Sequence, residues 1–228
     1  MFEFRRFIFN PVQVNCYLLW DETKEALLID CGALYQHEEE QLMNFVAEKG
    51  LTIKHYLNTH LHFDHIFGNP FIQHCFGLGY EANDGDISWA EGIAERVQLF
   101  GLRYEEKISS PARVLHDGDK VHFGNQTVEV IAVPGHSPGS LAFYLPQQKM
   151  VFTGDALFHS SIGRTDLPDS DYLTLIKSIK EKLFALPDDT RVLPGHSDYT
   201  NIGMEKEYNL YVRKKHTSIK KAACKPLF

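Results

Sequence analysis

The chain has 228 residues, of which 43% are hydrophobic, and a formal charge of -7 at pH 7. This length and composition predict one domain, residues 1–228, with a sizeable core. The negative charge argues against a nucleic-acid-binding surface, and no run reaches the roughly 18–20 apolar residues that a membrane span requires.

The first part of the chain is predicted to alternate strands with one helix. Segment 36–49 is helix-like because Leu42, Phe45 and Val46 form an apolar face. Alternating or apolar runs predict four strands, at residues 2–9, 12–20, 26–30 and 53–58.

Segment 84–100 has apolar residues at helical spacing, with Trp89 outside the stripe. This stripe is expected to be core, and the segment is a candidate to cover a cleft. The stripe consists of Ile87, Ala90, Ile93, Ala94 and Val97.

Strands resume after this segment, and a second helix follows them. The predicted strands are 120–123, 126–133, 141–145 and 150–153. No repeat or linker interrupts the order of strands, helix, strands, helix. The second helix has apolar residues at spacings of three and four: Tyr172, Leu175, Ile176, Ile179 and Leu183.

Segment 59–65, THLHFDH, is the most informative motif. His60 and His62 are two residues apart, so on an extended chain their imidazoles project to the same face and can share one ion. A turn at 66–68 would direct Asp64 and His65 to a second position nearby. The motif therefore predicts two adjacent half-sites.

Three further candidate ligands follow predicted strands. His136 lies in a loop rich in proline and glycine after the apolar run 128–133. Asp155 closes segment 150–154, and His196 closes segment 191–195. Ligands on loops held by rigid strands are typical of a metal site.

The seven candidates offer nitrogen and oxygen ligands and no cysteine, which favours Zn, Fe or Mn. Two such ions roughly 3.5–4 Å apart would clamp a water and lower its pKa toward about 7. Asp155 has the chemistry to bridge them. We therefore predict two divalent ions, Zn²⁺ first, with Fe or Mn as alternatives.

The motif at 59–65, followed in order by His136, Asp155 and His196, resembles the metallo-beta-lactamase superfamily over residues 12–196. This resemblance implies an α/β fold, an αββα four-layer sandwich of two mixed sheets with helices outside. It also implies how the ligands are shared: His60, His62 and His136 on one metal, Asp64, His65 and His196 on the other, and Asp155 between them.

Two weaker signals, GRTDLP at 163–168 and NCYLL at 15–19, resemble the glyoxalase II-like hydrolases. Asn209 is followed by Leu210, where that group usually has proline. Only 32 residues follow His196, so the helical glutathione-binding domain of full-length glyoxalase II is not expected. Whether glutathione is the thiol carrier stays open, and the basic residues of 213–228 are expected to form a mobile tail.

The resemblance implies hydrolysis of a thioester or a related small acyl ester such as a lactone. A metal-bridging hydroxide would attack the carbonyl carbon, and Asp64 would orient it and take its proton. Two alternatives stay open. One is a persulfide dioxygenase with a single iron on His60, His62, His136 and Asp155, and the other is a binding module without turnover.

Three more residues have expected roles near the site. Asp30 is predicted to orient a ligating imidazole, because such rings normally donate their second N–H to a carboxylate or carbonyl. Arg164 is either a substrate contact or one partner of a local ion pair with Asp166. His159, four residues after Asp155, is a candidate to line the cleft.

Cysteine usage and the first residues indicate the cytoplasm. Asn10 and Pro11 interrupt the first apolar stretch before it could form a signal core. We expect a small acyl or thioester substrate and neither a nucleic-acid nor a membrane partner, while the oligomeric state is open. The cysteines show no paired spacing, which indicates a reducing compartment: Cys16, Cys31, Cys75 and Cys224.

Overall fold

The computed structural model describes residues 1–99 and 101–212. Its first sheet has six strands, which are neighbours in chain order. These are β1 (Glu3–Phe9), β2 (Val14–Trp20), β3 (Glu25–Ile29), β4 (Thr52–Leu57), β5 (Glu81–Ala82) and β6 (Arg113–Val114). The β1–β2 and β2–β3 pairs are antiparallel, and the remaining pairs are parallel.

The second sheet also has six strands, and a two-stranded ribbon, β11 (Leu157–Phe158) and β12 (Ser161–Ile162), lies between its members in sequence. The strands of the sheet are β7 (Lys120–Phe123), β8 (Gln126–Ala132), β9 (Leu141–Leu145), β10 (Met150–Gly154), β13 (Arg191–Pro194) and β14 (Thr200–Asn201). Their spatial order is β14-β13-β10-β9-β8-β7, and only β10 and β13 pair in parallel among the described strands. Both sheets are therefore mixed.

Helices cover the outer faces of the two sheets. The helices are α1 (Gln36–Lys49), α2 (Phe63–Ile66), α3 (Asn69–Phe76), α4 (Ile87–Glu91), α5 (Ile93–Gln98), α6 (Tyr172–Glu181) and α7 (Ile202–Tyr208). Helix α1 begins where Glu38 accepts hydrogen bonds from the backbone N–H groups of Leu34 and Tyr35. It ends at Gly50, whose φ of 62° is left-handed.

The burial of strand β2 on both faces shows how the first sheet forms an inner layer of the sandwich. All seven of its residues are buried, because the strand packs against other elements on both faces. Tyr17 and Leu19 face the second sheet, while the alternate residues Leu18 and Trp20 belong to the cluster under the first helices. This explains the continuous apolar run.

The outer layers complete the sandwich. Leu42 and Val46 of α1 pack on the first sheet, and Leu175 and Ile179 of α6 pack on the outer face of the second. The order is helices, sheet, sheet, helices. The predicted αββα architecture is confirmed.

Within residues 84–99, the structure differs from the single helix that the spacing of segment 84–100 suggested. A 3-10 turn, Asp84–Asp86, leads into α4, and the chain breaks at Gly92 before α5. Ala90, Ile93 and Val97 are core, as expected. The short strands were not predicted, because each has only two residues, too few to show the alternation of apolar and polar residues that identifies a strand. These strands are β5, β6, β11, β12 and β14.

The predicted basic tail, 213–228, lies outside the described residues, and the single-domain assignment stays a prediction. Within residues 1–99 and 101–212, no helix has the length and apolar character needed to cross a membrane.

Candidate metal centre

The seven candidate ligands all follow strands and meet at one edge of the sandwich. The motif 59–65 follows β4, His136 follows β8, Asp155 follows β10 and His196 follows β13. Their ligand atoms form three overlapping groups in which every pair lies within 4.8 Å. The groups are His60, His62 and His136; His60, His65 and Asp155; and Asp64, His65 and His196.

The three-histidine group, His60, His62 and His136, is buried and compact. Nε2 of His136 lies 2.9 Å from Nδ1 of His62, and the ring centroids of His60 and His62 are 4.6 Å apart. The side chains project together although His136 is 74 residues from His62. Two separate loops thus build this half-site.

The mixed group, Asp64, His65 and His196, lies beside it. Oδ2 of Asp64 is 3.1 Å from Nε2 of His196 and 3.6 Å from Nε2 of His65. Helix α2 carries Asp64 and His65 immediately after His62, so the predicted turn is a short helix. One continuous segment therefore supplies both half-sites.

Asp155 lies between the two groups. Its Oδ1 is 3.4 Å from Nε2 of His65, and its Oδ2 is 3.7 Å from Nε2 of His136 and 3.6 Å from Nε2 of His196. One carboxylate therefore reaches both half-sites. This is the position that a bridging ligand requires.

Several buried polar atoms of the site have no hydrogen-bond partner. Three of them face the centre: Nε2 of His60, Nε2 of His65 and Oδ1 of Asp155. Nε2 of His62 is also unpaired, but it lies on the opposite side of its ring from the Nδ1 that faces His136. Leaving such atoms unpaired typically costs about 1–3 kcal/mol each, so their concentration in one place needs an explanation. A cation explains it, since tetrahedral Zn²⁺ with ligands at about 2.0–2.1 Å separates neighbouring ligand atoms by roughly 3.3 Å. The residues present fit a metal.

The opposite ring nitrogens are held by backbone and carboxylate oxygens. Nδ1 of His136 donates to the carbonyl of Arg164 at 2.9 Å, and Nδ1 of His196 donates to the carbonyl of Gln13 at 3.2 Å. Nδ1 of His65 lies 3.0 Å from Oδ2 of Asp30. These contacts direct each Nε2 toward the centre, which is the arrangement that metal-ligating histidines use.

Asp30 also holds the start of the motif. Its Oδ1 accepts from the Thr59 N–H at 2.7 Å, and its Oδ2 accepts from the Thr59 hydroxyl at 2.6 Å. The Thr59 hydroxyl is in turn 3.1 Å from Nδ1 of His60. The contact expected between Asp30 and an imidazole is present, and its role in orienting a metal ligand is a proposal.

Charge and burial shift the pKa values in two directions. Burial and the neighbouring His65 lower the pKa of His60 well below its usual value, and burial together with His136 lowers the pKa of His62 to about 3. Burial also lowers the pKa of His65, but Asp155 and Asp64 outweigh it and raise that pKa well above its usual value. Neutral His60 and His62 keep lone pairs available for a cation.

The two carboxylates are held in the ionised form. Burial raises the pKa of Asp155, but His196 and His65 outweigh it and hold the pKa well below its usual value. Burial likewise opposes ionisation of Asp64, and His65 and His196 lower its pKa. The centre is therefore supplied with negative charge.

Position 195 requires glycine, because the candidate ligands occupy the space that a side chain would need. A Cβ at this position would lie 2.3 Å from Oδ1 of Asp155 and 2.7 Å from Cε1 of His65. The backbone of β13 approaches the site closely because no side chain intervenes. The glycine before His196 thus serves the packing of the centre.

A cavity of about 570 Å³ lies against five of the candidate ligands, His62, Asp64, His136, Asp155 and His196. Most of its wall is apolar and includes Phe63, Trp89, Leu99, Phe158, Ile162 and Leu167. The Trp89 ring is 4.4 Å from the His62 ring. The candidate metal centre therefore opens onto a largely apolar chamber.

The remaining polar wall is mostly paired. Arg164 lines the cavity and forms a bidentate ion pair with Asp166 at 2.7 and 2.8 Å. Arg96 stacks over Trp89, with Cζ 4.1 Å from the ring, and donates to the backbone carbonyls of Ser88 and Trp89. Both interpretations weighed for Arg164 are thus compatible with its position.

The expectation for His159 is not supported. Its side chain is exposed, and it is not among the described residues that line the cavity, whereas Phe158 is. Trp89, placed outside the apolar stripe of its segment, proves to be cavity wall. In the sequence, the position of Trp89 off the apolar stripe was the feature that distinguished it from the core residues of the same segment.

Comparison with known proteins decides the family. The sequence matches the Metallo-beta-lactamase superfamily over residues 9–196. The chain belongs to the metallo-beta-lactamase superfamily. Members of this superfamily are metal-binding enzymes, in agreement with the candidate centre.

Two curated superfamily members are similar over most of this chain. Hydroxyacylglutathione hydrolase GloC of Haemophilus influenzae is 37% identical over 204 residues, which cover 89% of this chain and 94% of GloC. Human mitochondrial persulfide dioxygenase ETHE1 is 35% identical over 196 residues, covering 85% of this chain and 68% of ETHE1. The similarity to GloC agrees with the resemblance to the glyoxalase II-like group.

A solved superfamily structure agrees in fold. TTHA1623 in a di-iron-bound form superposes with a TM-score of 0.81 at 35% identity, covering 91% of this chain and 99% of TTHA1623. This likeness confirms the arrangement of the two sheets.

Proposed function

We propose that this protein is a dinuclear metal-dependent hydrolase of thioesters, related to the hydroxyacylglutathione hydrolases. The observation that carries the proposal is the complete pair of ligand groups joined by Asp155 at the wall of one cavity. The similarity to GloC over most of both chains supports the thioester as substrate. Lactones and other small esters are close variants of the same chemistry.

The seven candidate ligands divide into two groups, and Asp155 lies between them. The three-histidine group would hold one ion, the mixed group the other, and Asp155 would contact both. Zn²⁺ suits this set of nitrogen and oxygen ligands, and Fe or Mn suits it also. When bound, two such ions would supply hydroxide at neutral pH and a Lewis acid for the acyl carbonyl.

Asp64 is the residue to which we assign proton transfer. Its carboxylate lines the cavity, is ionised, and lies 3.1 Å from Nε2 of His196 through Oδ2. An anionic carboxylate at this place can orient a nucleophilic water and accept its proton. Among the described residues lining the cavity, the only carboxylates are Asp64 and Asp155, which suits a thiolate that leaves without a strong acid.

The cavity wall indicates how the substrate is held. Its two guanidinium groups are engaged with Asp166 and with backbone carbonyls, so they offer little to a substrate hydroxyl. Binding then depends mainly on burial of apolar groups against side chains such as Trp89 and Phe158. We infer that the preferred acyl group is apolar.

A second candidate function is persulfide dioxygenation, which the similarity to human ETHE1 favours. In that case one iron would be held by His60, His62, His136 and Asp155. The presence of Asp64, His65 and His196 in a second compact group favours two ions.

Metal analysis and two assays distinguish these candidates. The purified protein is analysed for metals. One assay measures hydrolysis of S-D-lactoylglutathione and of an acyl thioester with an apolar acyl group, and the other measures oxygen uptake with glutathione persulfide. About two ions per chain with thioester cleavage would support the hydrolase. One iron per chain with oxygen uptake on glutathione persulfide would overturn it in favour of the dioxygenase. Bound metal with none of these activities would favour a module without turnover.

A further inference from the structure

Asp86 is a fully buried carboxylate that the proposed reaction does not use. It ends the 3-10 turn before α4, but its side chain does not cap that helix. The carboxylate instead accepts hydrogen bonds from two distant segments. The donors are the Leu61 N–H at 3.3 Å, the Ser137 hydroxyl at 2.7 Å and the Gly139 N–H at 2.6 Å.

These donors lie in the two loops that carry the three-histidine group. Leu61 stands between His60 and His62, and Ser137 directly follows His136. A single carboxylate therefore ties together the chain segments that supply all three imidazoles. Gly139 approaches it so closely that a Cβ would lie 2.8 Å from Cγ of Asp86.

The contacts of Asp86 differ from those of Asp30. Asp30 touches His65 directly and reaches His60 through Thr59, so it supports both ligand groups. The hydrogen bonds of Asp86 reach the backbone between His60 and His62 and the loop that follows His136, and none of these donors lies on the helix that carries Asp64 and His65 or beside His196. The two aspartates should therefore affect the half-sites differently.

We propose that Asp86 is a positioning residue that sets the metal affinity of the three-histidine group and leaves that of the mixed group unchanged. It acts through the spacing of the two loops. The same residue begins the helix that carries Trp89, whose ring lies against His62. Asp86 therefore links the cavity wall to one half-site. The inference rests on the metal centre proposed above and is independent of which bond the enzyme cleaves.

Zinc titration of the metal-free full-length protein tests this inference. The variants H196A and H62A each disable one half-site, leaving the three-histidine group or the mixed group. In the H196A background, Asp86→Asn is expected to weaken zinc binding by about 10- to 100-fold, the usual effect of removing support from a metal ligand. In the H62A background it should leave zinc affinity unchanged.

Two other buried aspartates provide matched comparisons. Asp30→Asn should weaken zinc binding in both backgrounds. Asp21→Asn removes a buried carboxylate that accepts from Thr23, Asn125 and Gln126, away from the candidate ligands, and should weaken neither. If D86N weakened zinc binding only through a general loss of stability, D21N would weaken zinc binding to a similar extent.

A milder variant covers the case in which D86N does not fold. Ser137→Ala removes one of the three donors and should weaken zinc binding in the H196A background by about fivefold. Equal effects of D86N or S137A in both backgrounds, or none in the H196A background, would overturn the inference. Absence of zinc binding by the parent protein would instead overturn the metal centre itself, so the two failures are distinguishable.

Discussion

The backbone carbonyl of Arg164 lies 2.9 Å from Nδ1 of His136, while the Arg164 side chain lines the cavity beside the candidate ligands. Because a carbonyl only accepts, this contact places the His136 proton on Nδ1 and leaves Nε2 free to bind a metal. One residue therefore serves the centre through its backbone and the cavity through its side chain.

Removal of the Arg164 side chain should separate these two roles. Arg164→Ala keeps the carbonyl but removes the apolar stem of the side chain from the cavity wall, so we expect metal content per chain to stay at the parental value while KM for acyl thioesters rises. The ion pair with Asp166 is exposed and should contribute less than about 1 kcal/mol to stability. Elemental analysis and steady-state kinetics check this, and loss of metal in R164A would contradict the assignment to the backbone.

Replacement of Asp64 should stop turnover without unfolding the protein. Asp64→Asn keeps the shape but removes both a carboxylate ligand of the mixed group and the proton acceptor, so kcat should fall by at least about 100-fold. Circular dichroism and thioester hydrolysis measure the two effects. The control is Asp189→Asn, an exposed carboxylate paired with Lys149, which should retain parental kinetics. An unchanged rate in D64N would remove Asp64 from the mechanism.

Addition of a Cβ at Gly195 should displace Asp155 and His65, which occupy that space. We expect Gly195→Ala to lower the free energy of unfolding by about 1–3 kcal/mol and to reduce metal content. Gly203→Ala is the comparison variant, because its Cβ would lie 3.2 Å from Asp188, a tight contact that a shift of a few tenths of an ångström relieves, whereas the 2.3 Å contact at Gly195 requires a larger displacement. Urea unfolding and metal analysis of both variants test the argument, and equal stability of the two would refute it.

The apolar cavity predicts a preference among acyl groups. Each methylene added to a straight acyl chain should raise kcat/KM about fourfold until the cavity is full, from about 0.8 kcal/mol per buried methylene. Phe158→Ala should reduce this slope, whereas Tyr172→Ala should not, since Tyr172 is outside the described cavity wall. Kinetics on a thioester series with one common thiol measure the slope. A flat series, or faster cleavage of hydroxylated acyl groups, would contradict it.

Asp21 should make stability depend on pH. Burial raises its pKa, but hydrogen bonds from Thr23, Gln126 and Asn125 outweigh this and lower the pKa to about 2. Because the folded pKa lies below the unfolded value of 3.8, the stabilisation is fully present above that value and is lost as pH falls toward about 2. This pH-dependent contribution of Asp21 to the free energy of unfolding amounts to about 2 kcal/mol.

The comparison of D21N with the parent isolates this contribution, since other titrating groups are common to both. The difference in unfolding free energy should be largest at neutral pH and shrink by about 2 kcal/mol toward pH 2. Urea titrations across that range measure it. A difference that does not vary with pH would show that Asp21 has an ordinary pKa.

Local patterns were sufficient for the long elements and for selecting seven side chains that the fold brings together. The bounds of α1 (Gln36–Lys49), β7 (Lys120–Phe123) and β9 (Leu141–Leu145) agree with prediction, because each has a full period of apolar residues with a clear start and end. The ligands were recognisable because they follow strands or lie two or three residues apart.

The cavity wall was less predictable. Trp89 lies off the apolar stripe of its segment, and the break at Gly92 redirects the chain between α4 and α5. His159 follows Asp155 at helical spacing, but the short ribbon β11–β12 presents Phe158 to the cavity instead. Spacing along a chain indicates a shared face only while one type of secondary structure continues.

The sequence by itself determined which side chains have the chemistry to hold metal, since ligand type and spacing are local properties. Only the tertiary structure decided how those side chains are supported. Asp86 is 25, 51 and 53 residues from its donors Leu61, Ser137 and Gly139. Contacts at such separations arise from the packing of helices and loops at the edge of the sheets, and no periodicity of the chain encodes them.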